Sequence, residues 1–312
     1  MTREVRGVEG EVRSARLPGG QAVLAVDVGN TSTSFGLFGS GADALAEPLG
    51  TWEVTTPQRL TPDEARMQAQ QSLACLIGDV TEGMTSPAFG GGEARGHSAG
   101  MPVPMGAILS CVVPNLSAAW EDALNSLCPA GRALVVGPGL RTGLPMHYKD
   151  PSEVGPDRIA DVLAAREAYG SPVVVVDFGT TMNVEVVDAA GAFDGGIIAP
   201  GLALGATALS RAAARLPVIE LRAPERVIGR STREAMQSGV VLGEVARVDG
   251  LLDRVFSELG LAAPVVLTGD HAGQFAALLA HEVRVDETLT LRGLHQLFLA
   301  NAEKGGQRQR RA

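Results

Sequence analysis

Two stretches of the chain are apolar at almost every position and end in the same polar turn. They are Val23-Leu-Ala-Val-Asp27-Val-Gly29-Asn30-Thr31 and Val173-Val-Val-Val-Asp177-Phe-Gly179-Thr180-Thr181. Continuous apolar, β-branched runs of this length read as buried strands. Residues 33–38 make a hairpin partner for the first, and Leu49 to Thr55 supplies a neighbouring strand. A helix follows from Thr61, where Thr61-Pro62-Asp63-Glu64 combines an N-cap hydroxyl, proline at the first helical position and early acids. Residues 80–105 are rich in glycine, serine and proline without periodicity, which predicts a long surface loop. Ala107 to Val113 reads as a buried strand closed by Pro114-Asn115-Leu116-Ser117, after which Trp120, Leu124 and Leu127 have helical spacing. Ala133 to Val136 predicts a fifth strand and Pro156 to Tyr169 a helix. In the second half the pattern predicts strands at Val173–Val176, Val184–Val187 and Val265–Thr268, with helices over 202–214, 232–259 and 271–280.

Asp27 and Asp177 stand 150 residues apart, about one domain length. The repeat predicts a duplicated fold with a nucleotide held between its halves. Strands in meander followed by alternating helices imply a mixed sheet. That order, met twice, describes two ribonuclease H-like domains of the actin-type α/β superfold. The expected division is an N-terminal extension over 1–21 outside the ordered fold, domains over 22–171 and 172–304, and a flexible tail over 305–312.

An apolar strand ending in Asp-x-Gly suits phosphate and metal chemistry. Glycine lets main-chain N–H groups approach an anion, Asn or Thr side chains add donors, and Asp holds a hydrated cation. One such turn is common as a plain turn; two in register across domains point to a site.

Composition narrows the field. At 312 residues with 20% charged positions, the chain can build two ordinary cores. A net charge of -9 argues against nucleic acid as a partner, since phosphate backbones want a basic footprint. The arginine-rich end, Gln307 to Arg311, is too short to alter that. Lysine occurs only at Lys149 and Lys304, so no Gly-x-x-x-x-Gly-Lys-Ser/Thr loop is present. Phosphoryl transfer must work without that lysine. Cys75, Cys111 and Cys128 are odd in number and lack zinc-site pairing, which reads as reduced thiols of a cytoplasmic protein. No stretch approaches the roughly 18 apolar residues that span a bilayer. No membrane partner is therefore expected, and residues 1–21 contain no signal-peptide apolar region.

Several further motifs join the two turns. They are Ser110-Cys-Val-Val-Pro114, Gly155-Pro-Asp157-Arg158, Gly195-Gly196-Ile-Ile-Ala-Pro200-Gly201-Leu202, and Leu216-Pro217 with Gly229-x-Ser-Thr232 and Gln237-Ser-Gly239. In this order and spacing, over residues 22–300, they resemble the type III pantothenate kinases. Those enzymes make 4'-phosphopantothenate from pantothenate and ATP in the first step of coenzyme A synthesis.

The local sequence alone allows Asp157 to be a first-turn acid favouring the helix dipole. The resemblance implies instead the general base that takes the proton of the pantothenate hydroxyl. It further implies that Arg158 offers a planar fork to the substrate. Tyr148, Gly155 and Thr232 would complete the pantothenate pocket, although Tyr148 alone reads as a turn residue. Asp27, Gly29, Asn30 and Thr31 match the first phosphate motif, with Asp27 positioning magnesium through water. Gly179 and Thr180 belong to the second, where Asp177 resembles the carboxylate ligand of a monovalent cation, potassium or ammonium. Gly195-Gly196, a plain glycine hairpin before a helix on local sequence, would bring backbone close to substrate. A homodimer is implied, with the pocket completed across its interface.

Three departures from the family pattern stand out. The second turn runs Gly179-Thr180-Thr181-Met182-Asn183-Val184-Glu185 where the family has Gly-Thr-Ala-Thr-Thr-x-Asp. Met182 weakens ATP binding if it faces phosphate and is harmless if it faces the core. Asp270 follows Thr268-Gly269 where the family has glycine beside the adenosine, so its carboxylate either clashes with ribose or repels phosphate, or instead binds a ribose hydroxyl. The third is a glycine-rich insertion around 88–100. Two other classes share the turns. One is a small-molecule kinase with a different substrate, which need not carry Gly155-Pro-Asp157-Arg158. The other is a degenerate regulatory relative like the Bvg accessory factors, for which Met182, Asn183 and Asp270 would speak.

Overall fold

The computed structural model describes residues 22–39, 43, 45–85, 104–128, 133–213 and 215–309. The expected extension over 1–21, most of the 80–105 loop with its insertion, and the last three residues of the tail lie outside them.

The first sheet contains β1 (Ala22–Val28), β2 (Ser32–Gly39), β3 (Gly50–Thr55), β4 (Pro104–Cys111) and β5 (Ala133–Val135), in the order β3-β2-β1-β4-β5. The second contains β6 (Val173–Phe178), β7 (Thr181–Val187), β8 (Phe193–Pro200), β9 (Val265–Gly269) and β10 (Val283–Val285), in the order β10-β9-β6-β7-β8. The two sheets have the same plan. In each, the first three strands form an antiparallel meander and the fourth and fifth join parallel to the first. Mixed sheets with flanking helices, repeated, are the predicted actin-type architecture.

Helices α1 (Pro62–Thr85) and α2 (Pro114–Leu127) cover the outer face of the first sheet. Over the second lie α4 (Leu202–Ala212), α6 (Gly243–Leu259) and α7 (Ala272–Ala276), and α5 (Thr232–Gln237) leads into α6. The helix predicted over 232–259 is interrupted by a π-helical turn at Ser238–Leu242, and the one predicted over 271–280 is a single short turn. Between the sheets lie α3 (Pro156–Tyr169) and α8 (Leu289–Gln309). Helix α3 packs on β6 and β7, whereas α8, at the far end of the chain, returns to β1, β4 and β2. Gly293 permits that crossing, because a Cβ there would run into the backbone of Ala160 on α3.

The two-residue period of the strands explains why the site falls between the sheets. Ala22, Leu24, Val26 and Val28 face the core under α1 and α2, while Val23 and Ala25 face α3 and α8. In β6, Val174 and Val176 face outward and Val173 and Val175 inward. Asp27 and Asp177 are the next inward positions of their strands. The same alternation thus turns both carboxylates toward one central space.

Candidate active site

Each phosphate turn closes on the N–H of its glycine, the first over one residue more than the second. Beyond Asp27 the Gly29 N–H donates to Ser32 O at 2.9 Å, and beyond Asp177 the Gly179 N–H donates to Thr181 O at 3.0 Å. The turns meet: the hydroxyls of Thr31 and Thr180 are 2.7 Å apart. Asp27, Gly29, Asn30, Thr31, Asp157, Asp177, Gly179 and Thr180 all line one cleft of about 470 Å³ between the halves.

Helix α3 opens at the floor of this cleft with Gly155 as N-cap and Pro156 at its first position. Asp157 folds back over Gly155, where any side chain would meet its carboxylate. The carboxylate Oδ1 accepts from the Arg158 N–H at 2.8 Å. Burial raises the Asp157 pKa above the usual carboxylate range. Burial and the Asp157 charge push Asp27 up to about 7. Asp177 is pushed up to about 7 by burial and by Asp157, Asp27 and Asp270. Asp27 Oδ1 is buried without a hydrogen-bond partner among the described residues. Converging carboxylates of this kind call for cations, and oxygen-only ligands suit magnesium or potassium.

Arg158 does not reach into the cleft as a free fork. It is 5% exposed, its Nε donates to Glu185 Oε1 at 3.0 Å, and its Nη1 donates to the Tyr148 hydroxyl at 3.3 Å. The structure therefore groups Tyr148, Gly155 and Arg158 beside Asp157 but already spends part of the guanidinium on protein partners. Thr232 does not join them within one chain. It is exposed at the start of α5, behind the Ser231 cap, and is absent from the lining of the cleft.

Met182 is fully buried in the core of the second half, so it costs the phosphate turn nothing. Asn183 lines the cleft and accepts from the Thr181 hydroxyl at 3.3 Å. Asp270 also lines the cleft, its N–H bound to Phe178 O at 2.6 Å, after Gly269 at a φ of 78° and before His271 at 63°. Gly195-Gly196 lie inside the strand β8 rather than at a hairpin.

Two buried acids behind Asp157 were not singled out from the sequence. Asp161, one turn further along α3, accepts from the Thr290 hydroxyl at 2.6 Å. Burial holds its carboxyl well above the usual range. Glu185 is fully buried and pushed up to about 8, chiefly by burial. The spacing of Asp161 four residues after Asp157 was the available signal, since both fall on one helix face.

The family model described as type III pantothenate kinase matches residues 23–254. The chain belongs to the type III pantothenate kinase family. A type III pantothenate kinase of Thermomicrobium roseum is 38% identical over 279 residues, covering 88% of this chain and 96% of that protein. One from Acidothermus cellulolyticus is 38% identical over 283 residues, covering 89% and 98%. Among solved structures, a putative Baf family transcriptional activator from Campylobacter jejuni superposes with a TM-score of 0.52 at 17% identity, covering 90% of this chain and 99% of that one. That likeness is one of fold. By family this chain is an ATP-dependent kinase.

Proposed function

We propose that the chain transfers the γ-phosphoryl group of ATP to pantothenate, giving 4'-phosphopantothenate in the first step of coenzyme A synthesis. The observation that carries this reading is the position of Asp157, a half-buried carboxylate on the floor of a cleft lined by both phosphate turns. Phosphoryl transfer needs little covalent help from protein and depends on positioning and charge. Gly29, Asn30 and Thr31 hold the ATP phosphates from one side, and Gly179 and Thr180 from the other. Asp157 takes the proton from the primary hydroxyl of pantothenate as its oxygen bonds to the γ-phosphorus and the bond to ADP breaks. A carboxylate whose pKa burial raises is a stronger base and suits that role. Arg158, Tyr148 and Gly155 bind the acceptor beside it.

The unpartnered Asp27 Oδ1 and the crowded Asp177 carboxylate fit cations. Asp27 would hold magnesium through water, and Asp177 a monovalent ion, potassium or ammonium. Bound there, the ions neutralise charge on the phosphates.

The enzyme works as a cytoplasmic homodimer in this reading. Val218, Val227 and Ile228 are 82, 74 and 83% exposed, large apolar side chains whose cover by a partner surface this reading supplies. Thr232 follows four residues later and would enter the acceptor pocket of the second copy. The three cysteines are free, in keeping with a reducing compartment. No described helix is long and apolar enough to cross a membrane. A regulatory role without catalysis draws no support from Met182, which is core packing.

The test is a coupled assay of ADP release by purified protein with ATP, magnesium and potassium, with and without pantothenate. Pantothenate-dependent release is expected; equal release without it would contradict the assignment.

A further inference from the structure

Arg158 is gripped on every side that the described residues provide. Besides its bonds to Glu185 and Tyr148, its guanidinium carbon lies 5.9 Å from the Tyr148 ring centre and 5.5 Å from that of Phe193. The two rings stack with centres 5.5 Å apart, at 14°. Gly196 of β8 closes the other side, since a Cβ there would strike Val184 O and Arg158 Nη2. Glu185 projects from β7 and is 0% exposed. Arg158 Nη2 and Glu185 Oε2 have no hydrogen-bond partner among the described residues.

A buried ion pair with unsatisfied atoms is poor economy for stability alone. Desolvating both charges offsets much of their attraction, and apolar residues of like volume often do as well. What the pair supplies is orientation. A guanidinium is planar, and the short bond at Nε, together with the longer one at Nη1, fixes the rotation of that plane. The same residue contributes its backbone N–H to Asp157 Oδ1, so the grip on Arg158 also steadies the first turn of α3 under the base.

We propose that Glu185 is a positioning residue for acceptor binding, fixing the Arg158 guanidinium from beneath through the Nε bond. This rests on the reading of Asp157 and Arg158 as the acceptor side of a pantothenate kinase. Glu185 touches neither substrate; it acts through Arg158. It belongs to the strand that leaves the second phosphate turn, so one strand serves the phosphate and acceptor sides together.

Steady-state kinetics of the full-length protein separate this role from plain packing. Glu185→Met fills the volume but offers Nε no acceptor, and should lower kcat/KM for pantothenate by about tenfold or more while ATP KM stays within about twofold. Glu185→Gln still presents an oxygen to Nε and should return kcat/KM to within about threefold of the unaltered protein. A packing role would lower the melting temperature of both variants yet leave pantothenate kinetics unchanged, and that result overturns the proposal. So does an equal loss in both variants, which would make the charge decisive and not the bond. Should Glu185→Met fail to fold, Glu185→Ala, which also offers Nε no acceptor, takes its place beside Glu185→Gln: a loss of about tenfold in kcat/KM for pantothenate in the alanine variant alone supports the positioning role, and equal values in the two variants overturn it. If the unaltered protein does not phosphorylate pantothenate, the functional reading falls and takes this role with it; if it does and the variants match it, only the role of Glu185 falls.

Discussion

The hydroxyls of Thr31 and Thr180 are in hydrogen-bond contact at 2.7 Å although 149 residues separate them in the chain. The contact ties together the two phosphate turns, each delivered by the same strand-and-turn unit of its own half. A phosphate chain held by both turns exchanges this hydroxyl pair for bonds to its own oxygens. Thr180→Val keeps the shape and removes the donor. It is expected to raise ATP KM by about tenfold, the scale of a lost hydrogen bond to a charged group, with pantothenate KM little changed. Initial rates at varied ATP and pantothenate check the split.

Asp157→Asn keeps the size of the side chain and removes the base. Turnover should fall by about 10² or more, while nucleotide binding measured by calorimetry and the melting temperature remain near those of the unaltered protein. Near-normal turnover would remove Asp157 from the proton transfer.

The carboxylates predict how stability depends on pH and magnesium. Asp27 and Asp177 have folded pKa values of about 7 against an unperturbed 3.8, so the folded chain binds protons that the unfolded chain releases. Their contribution is fully present below the unfolded value and is lost as pH rises through the folded one. Magnesium favours the ionised forms and compensates that loss. Thermal melts should therefore show a larger gain on adding magnesium at about pH 8 than at about pH 5, and Asp27→Asn should shrink the difference. A gain independent of pH would detach the ion from these groups.

Asp270 adds its charge to the cleft and helps raise Asp177. Asp270→Gly should tighten ATP binding severalfold and leave pantothenate affinity unchanged. Weaker ATP binding in calorimetry would make Asp270 a ligand, to the ribose for instance.

Much of this site could be read from residue order because the chemistry sits where patterning is strongest. Apolar runs ending in Asp-x-Gly marked β1, β6 and their turns, and proline after glycine marked the start of α3. Elements were missed where local signals conflict with packing. In β8, Gly195 and Gly196 weaken strand preference, yet antiparallel pairing with β7 keeps both in the strand, with Gly195 at a φ of 131° beside a shift of register. β10 is only three residues long. α8 mixes Leu289, Leu291, Leu294 and Leu297 with Arg292, Gly293 and a buried His295, and its apolar face makes sense only against α3 and the first sheet. Glu185 escaped notice for a related reason. A lone acid in a valine-rich strand acquires meaning only when Arg158 arrives from another element.

The most direct measurement is the identity of the product. Purified protein incubated with ATP, magnesium, potassium and pantothenate is followed by phosphorus NMR and mass spectrometry, beside the Asp157→Asn variant. The expected result is a single phosphoryl group on the primary hydroxyl of pantothenate, formed rapidly by the unaltered protein and at about 1% or less of that rate by the variant. ATP left intact, or phosphate released to water without a phosphorylated acceptor, would contradict the account.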